Sequence, residues 1–218
     1  MSERDYWPDL VRVYFKTKAL LILAEEIDPD MKTLPAPLLQ LRDALDHIMR
    51  AKGSEIGLLE KPDDHGNKNM DKALGHVYRA YFDIADWVAA SLRKKASDAV
   101  KRFSTECLAA VTPQYYQEWK PGLERVAHRV AAIRTSKDIG DPNGIINEVE
   151  EYDRLIKGLI ATWENIDKSI PALDDWRRRR NREGRRRSYK SILLRIAFAL
   201  AFGAGGFWLK TLLSRSSN

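Results

Sequence analysis

The chain lacks most of what usually fixes a function from sequence alone. Among its 218 residues there is one cysteine, Cys107. An intrachain disulfide and a cysteine-based zinc site are therefore excluded, and a reducing compartment fits. There is no Walker loop, no G-x-S-x-G elbow, no H-E-x-x-H pair and no calcium-loop pattern, so the common signatures of nucleotide, acyl-transfer and metal chemistry are missing. No metal and no cofactor is predicted. Strand-like alternation is absent, as are hairpin dipeptides between alternating segments. The opening residues have no basic segment leading into an apolar one, so a secretory signal is not predicted and the body is expected in the cytoplasm.

What is present reads as helix. Charged residues make up 31% and apolar residues 44%, a folded composition rather than a disordered one. The length suits one domain with an appendage. The expected fold class is all-α: a multi-helix bundle with one long helix, followed by a single C-terminal transmembrane helix. Five helices are predicted before the tail. The first covers about 8–26, with Leu10, Val11, Tyr14, Ala19, Leu20 and Leu23 as its inward stripe. The second opens at the Leu34-Pro35-Ala36-Pro37 string and closes at Gly53. Residues 60–69, with Pro62 and Gly66, read as a loop. A long third helix is expected over 70–111, where Leu74, Val77, Tyr81, Ile84, Val88 and Leu92 make a bundle seam. The fourth, over 113–136, is expected to bend or restart at Pro121. After a turn at 140–144 the fifth carries Val149, Tyr152, Leu155, Ile156, Leu159, Ile160 and Trp163, with a kink or restart at Pro171. Tyr78, Tyr81, Phe82 and Trp87 are expected in the core or at helix–helix contacts; Tyr115, Tyr116 and Trp119 are expected in the core, with a bundle cap or a docking patch as the other readings.

Charge is unevenly spread. The formal total is +6, but residues 177–218 carry +11 and the first 176 carry −5. The excess sits in Arg177, Arg178, Arg179, Arg180, Arg182, Arg185, Arg186, Arg187 and Lys190, directly before the apolar residues 192–213. Such a collar beside a hydrophobic stretch is the pattern of a membrane anchor facing anionic headgroups. The 22 residues span roughly 33 Å as a helix against a hydrocarbon core of about 30 Å. Arg195 and Lys210 lie near the two ends, where they can snorkel. Ala197, Ala201 and Gly205, and likewise Ala199 and Gly203, recur every four residues, a spacing that lets membrane helices approach closely. The expected organisation is a cytoplasmic bundle (1–176), a basic collar (177–190), a transmembrane helix (191–213) and a short end (214–218). The positive-inside rule then places collar and body at the cytoplasmic face of the inner (plasma) membrane, as a tail-anchored, single-pass homo-oligomer. A buried core helix and an interfacial helix are the competing readings of the tail. The arginine run also suits nucleic-acid phosphates, and the acidic body suits a basic protein partner.

One string in the body carries candidate chemistry. Arg42-Asp43-Ala44-Leu45-Asp46-His47 has the form R-x4-H with a polar residue after the arginine. It resembles the motif of the HEPN superfamily, all-α bundles that include metal-independent ribonucleases. The resemblance implies that Arg42 stabilises charge at an RNA phosphate, that His47 does acid–base work and that Asp43 orients them, usually across a dimer. In that family the motif commonly lies late in the bundle; here it falls on the second helix. By helical geometry, Leu38, Leu41, Leu45, Ile48 and Met49 fall on one side of that helix, and Asp43, Asp46, His47 and Arg50 on the other. An Asp46–Arg50 ion pair on a solvated face accounts for the same residues. A second polar row, His76, Arg79, Asp83 and Asp86, is expected to form a salt-bridged surface or a polar network, not a metal site, because Arg79 occupies the middle. The function expected from these features is a membrane-anchored helical effector that self-associates and perturbs the membrane, by resemblance to small all-α defence and toxin proteins with one transmembrane segment. The alternatives are a tethered HEPN-like ribonuclease and an adaptor for another protein.

Overall fold

The computed structural model describes the backbone of residues 5–28, 35–59, 65–136 and 142–215, with side chains over the same ranges except at 136, 142–143, 187 and 199–215. Every element among the described residues is helical. In chain order they are α1 (Trp7–Ile27), α2 (Pro35–Glu55), α3 (His65–Val100), α4 (Thr105–Val111), a π-helical turn (Tyr115–Trp119), α5 (Lys120–Ser136) and α6 (Pro142–Arg215). They form two compact units. The first comprises Met1–Arg102 and Pro113–Lys168; the second comprises Phe103–Thr112 and Ser169–Asn218.

In the first unit α3 is the central element. All six residues of its predicted seam are buried, with Tyr78, Ala80, Phe82, Ala85 and Ala89 beside them. A helix apolar over so wide an arc must be covered on several sides. α1 and α2 cover two of them. The first part of α6 covers another, where the Tyr81 hydroxyl donates to the Val149 carbonyl oxygen at 3.1 Å and the Tyr152 hydroxyl donates to Asp86. α5 closes the set through Arg134, whose Nε donates to the other Asp86 oxygen at 2.7 Å. Asp86 thus sits inside a polar network joining three helices. Burial, together with that carboxylate, pushes the Tyr152 phenol well above its usual range.

The second unit is smaller. Ser104, in an extended conformation, caps α4 by accepting from the Cys107 amide at 3.2 Å. Cys107 and Leu173 are both buried. Arg177 lies over the Phe103 ring, and Arg180 pairs with Glu106 at 2.9 Å.

Several sequence expectations are corrected. The inward stripe of α1 is Leu10, Val13, Thr17, Leu20 and Ala24, while Val11 and Tyr14 are exposed. α1 is apolar on two faces, so periodicity admitted both answers. The Lys16 ion pairs to Glu150 and Asp153 help select the observed one, and Thr17 is tolerated inside because its hydroxyl donates to the Val13 carbonyl oxygen. On α2 the face toward the core carries the small residues Pro37, Ala44 and Ala51, seven apart, while Leu38, Leu45 and Met49 are exposed. Small side chains permit a close helix approach that leucine would prevent. Gly53 does not end α2. Gly57, at φ 73°, does so: the Leu58 amide donates to the Gly53 carbonyl and the Gly57 amide to that of Ser54, a Schellman closure that needs a left-handed residue. α3 starts at His65 rather than 70 and stops at Val100 rather than 111, because the Ser104 cap begins a new helix. α5 begins beside Pro121, where a restart was expected, but Tyr115, Tyr116 and Trp119 in the preceding turn are not buried. Pro171 does not interrupt α6, which starts at Pro142 and is the longest helix.

Candidate functional site

The α2–α3 seam gathers three of the chain's four histidines. His47 comes from α2; His65 and His76 come from α3. The imidazoles of His47 and His76 stack, with centroids 5.3 Å apart and planes 20° from parallel. Both are half-buried. The seam has this character because the small α2 residues Ala44 and Ala51 bring the helices together. Gln40 and His47, seven apart, then lie at the edge of the contact.

The hydrogen bonds around the pair have a definite direction. The Asn69 side-chain nitrogen donates to the His65 carbonyl oxygen at 2.8 Å and faces His65 Nε2 at 3.0 Å. A carbonyl only accepts, so the amide orientation of Asn69 is fixed. Its Oδ1 therefore faces His47 Nδ1, 2.8 Å away, and that nitrogen must carry the proton. In the neutral ring the lone pair of His47 is then on Nε2. His76 Nδ1 faces Gln40 Oε1 at 2.7 Å; with the amide in that orientation it donates, as His47 does. Asn69 is 5% exposed and has its amide used on both sides, as a buried polar group requires.

Burial holds His76 below the ordinary imidazole range, and the charges of Arg79 and His47 add to this while Asp43 opposes it. Asp43 lies below the usual carboxylate range, first through its hydrogen bond from Arg42 and then through the charges of Arg42, His76 and His47.

Within one chain, Arg42 and His47 take different partners. Arg42 is exposed and turns onto its neighbour, with Nε and Nη2 donating to one Asp43 oxygen at 3.0 and 2.7 Å. His47 turns to α3 instead of a solvated face. The Asp46–Arg50 ion pair forms at 2.8 Å. The second polar row divides: His76 joins the seam and Asp86 joins the three-helix network. Sequence reasoning missed Asn69 and His65, because Gly66 and Pro62 made 60–69 read as a loop. The strings His47-x-x-Arg50 and His76-x-x-Arg79 are alike, but nothing in them predicts that the two rings stack. No group of three metal-ligating side chains occurs among the described residues.

The collar is helical throughout. Arg177, Arg178 and Arg180 pair with Asp174, Asp175 and Glu106. Arg179, Arg182, Arg185, Arg186 and Lys190 are exposed and make no ion pair among the described residues. Every residue of 191–198 is exposed, including Ile192, Leu193, Leu194, Ile196 and Phe198. Among the described residues no helix is long and apolar enough to cross a membrane. Ala197 is an exposed helical residue; the side chains of Arg187, Ala199, Ala201, Gly203 and Gly205 lie outside those described. Comparison with protein-family models, curated proteins and solved structures finds no match for this chain.

Proposed function

We propose that this protein is a single-pass membrane effector, anchored through residues 192–213, whose helical body lies at the cytoplasmic face of the plasma membrane. It self-associates along Ala197, Ala201 and Gly205, with Ala199 and Gly203 beside them, and perturbs the bilayer once assembled, as in antiviral defence or toxicity. The observation that carries the reading is the state of α6 at 191–198: helical, apolar apart from Arg195 and Ser191, and exposed all round. An apolar helix uncovered on every side needs a non-aqueous neighbour. That exposure argues against the buried-core reading. The five unpaired collar cations suit anionic headgroups, at about 1 kcal/mol each near the surface.

The test is membrane fractionation of the full chain and of a version stopped after Arg187, each washed with high salt and with alkaline carbonate. The full chain should resist both washes, and the shortened chain should be released. Release of the full chain by salt alone would overturn the anchor. Ion-loaded vesicles that stay sealed at every protein concentration would overturn membrane perturbation while leaving anchoring intact.

The stacked histidines favour a second reading, a membrane-tethered ribonuclease in which the two imidazoles take and give the proton as a 2′-hydroxyl attacks its phosphate. His47→Ala and His76→Ala should each abolish RNA cleavage with folding retained. Cleavage that survives both substitutions removes this reading.

A further inference from the structure

α3 contains a glycine that its packing does not require. Gly75 lies in the interior of a 36-residue helix, where glycine costs roughly 0.5–1 kcal/mol relative to alanine. A Cβ built there meets nothing within 4 Å, so no neighbour excludes a side chain. The space it leaves belongs to a cavity of about 150 Å³ bordered by α3 and by Ile145 of α6. That is the volume of about five waters, and below the 300–1,000 Å³ or so of pockets for drug-sized ligands.

The lining has a definite chemistry. Lys72, His76 and Arg79 recur at four- and three-residue steps on one face of α3, and all three line the cavity. Neither Lys72 nor Arg79 has a hydrogen-bond or ion-pair partner among the described residues, although both are exposed and many other cations of this chain are paired. His76 has Nδ1 committed to Gln40, which leaves its other nitrogen as an acceptor. Asp71 adds a carboxylate to the same lining. Two unpaired cations suit a phosphate, with arginine able to bind it through two donors. A carboxylate and an imidazole acceptor suit hydroxyl donors on the same small molecule. Ile145 and Leu74 supply an apolar wall.

We propose that this cavity is a binding site for a small phosphorylated polyol, with Lys72 and Arg79 holding the phosphate and Asp71 and His76 accepting from its hydroxyls. The site is separate from the anchor and stands whether or not residues 192–213 enter a bilayer. The same chemistry is offered by a free polyol phosphate and by a glycerol-type phospholipid headgroup.

The experiment uses the full chain in an uncharged detergent. Calorimetric titrations with glycerol 3-phosphate, with glycerol and with sulfate read the soluble source. Binding to nanodiscs of phosphatidylglycerol, with phosphatidylcholine as the control, reads the lipid source. Glycerol 3-phosphate should bind more tightly than either control, or phosphatidylglycerol should be preferred through these residues. Lys72→Gln and Arg79→Gln should each weaken that binding roughly tenfold or more. Gly75→Met should abolish it without lowering thermal stability, because methionine enters the cavity and favours helix. Any preference for phosphatidylglycerol must disappear in the Lys72→Gln/Arg79→Gln double variant, which leaves the collar intact. The proposal is overturned if both sources fail against their controls, or if Gly75→Met and the double variant bind as tightly as the parent chain.

Discussion

α6 contains two different helices in one continuous backbone. Between Ile145 and Leu173 it buries Ile145, Val149, Tyr152, Ile156, Leu159, Ile166 and Leu173 at three-, four- and seven-residue spacing. From Arg178 to Phe198 every described side chain is exposed. The first stretch is specified by its neighbours through a seam of large apolar residues. The second has only local terms: arginine, lysine, leucine and alanine are good helix formers, and the i,i+3 pairs Asp174–Arg177 and Asp175–Arg178 support its entry. A helix can thus persist beyond its core, but its apolar residues then remain available to another solvent.

That contrast predicts how substitutions divide. Leu159→Ala removes a side chain that is 1% exposed and should lower the unfolding free energy by about 3 kcal/mol. Leu193→Ala, at 64% exposure, should change it by less than about 0.5 kcal/mol in detergent-free urea titrations. Equal effects would mean that the exposed stretch folds against something. Tyr152→Phe deprives Asp86 of one donor and should lower stability by about 1–2 kcal/mol in the same titration. Gly57→Ala places a Cβ at positive φ and should lower it by about 1 kcal/mol; an unchanged midpoint would remove the Schellman closure.

Acid sharpens the comparison further. His76 in the folded chain lies below its ordinary value of 6.5. As pH falls through about 6.5 the unfolded chain takes up a proton that the folded chain resists, so stability decreases toward the folded value and then levels. His76→Gln should flatten that window. The carboxylates held low by their cations, Asp43, Glu151 and Asp153, act later, at about pH 4.5 and below. None of the groups named lies in the exposed stretch of α6. Urea midpoints between pH 8 and 4 read both windows.

The all-helical class, the α3 seam and Val149, Tyr152, Ile156 and Leu159 of α6 were legible because large apolar residues recur there with helical period; Ile166 and Leu173, a full seven residues apart, were not. α1 and α2 were less legible. α1 has two apolar faces, and α2 meets its neighbour through Pro37, Ala44 and Ala51, which carry little hydrophobic signal. The long third helix was overextended because Ala, Leu and Val continue past its real end, and only Ser104 marks the break. The candidate site was half legible. Arg42, Asp43 and His47 drew attention as a motif, yet the partners that matter to His47 come from another helix. Asn69 stood in a stretch whose glycine and proline suggested a loop. Contacts between helices 22 or more residues apart leave no local pattern to read.

The fixed amide of Asn69 gives its part of the histidine seam a direction, with donor and acceptor aligned from His47 to His65. The His65 carbonyl oxygen can only accept, so it holds the Asn69 nitrogen on its own side whatever the imidazole beside it does. The amide oxygen is thereby kept toward His47 Nδ1. A main-chain oxygen of α3 thus sets which nitrogen of a side chain on α2 carries the proton.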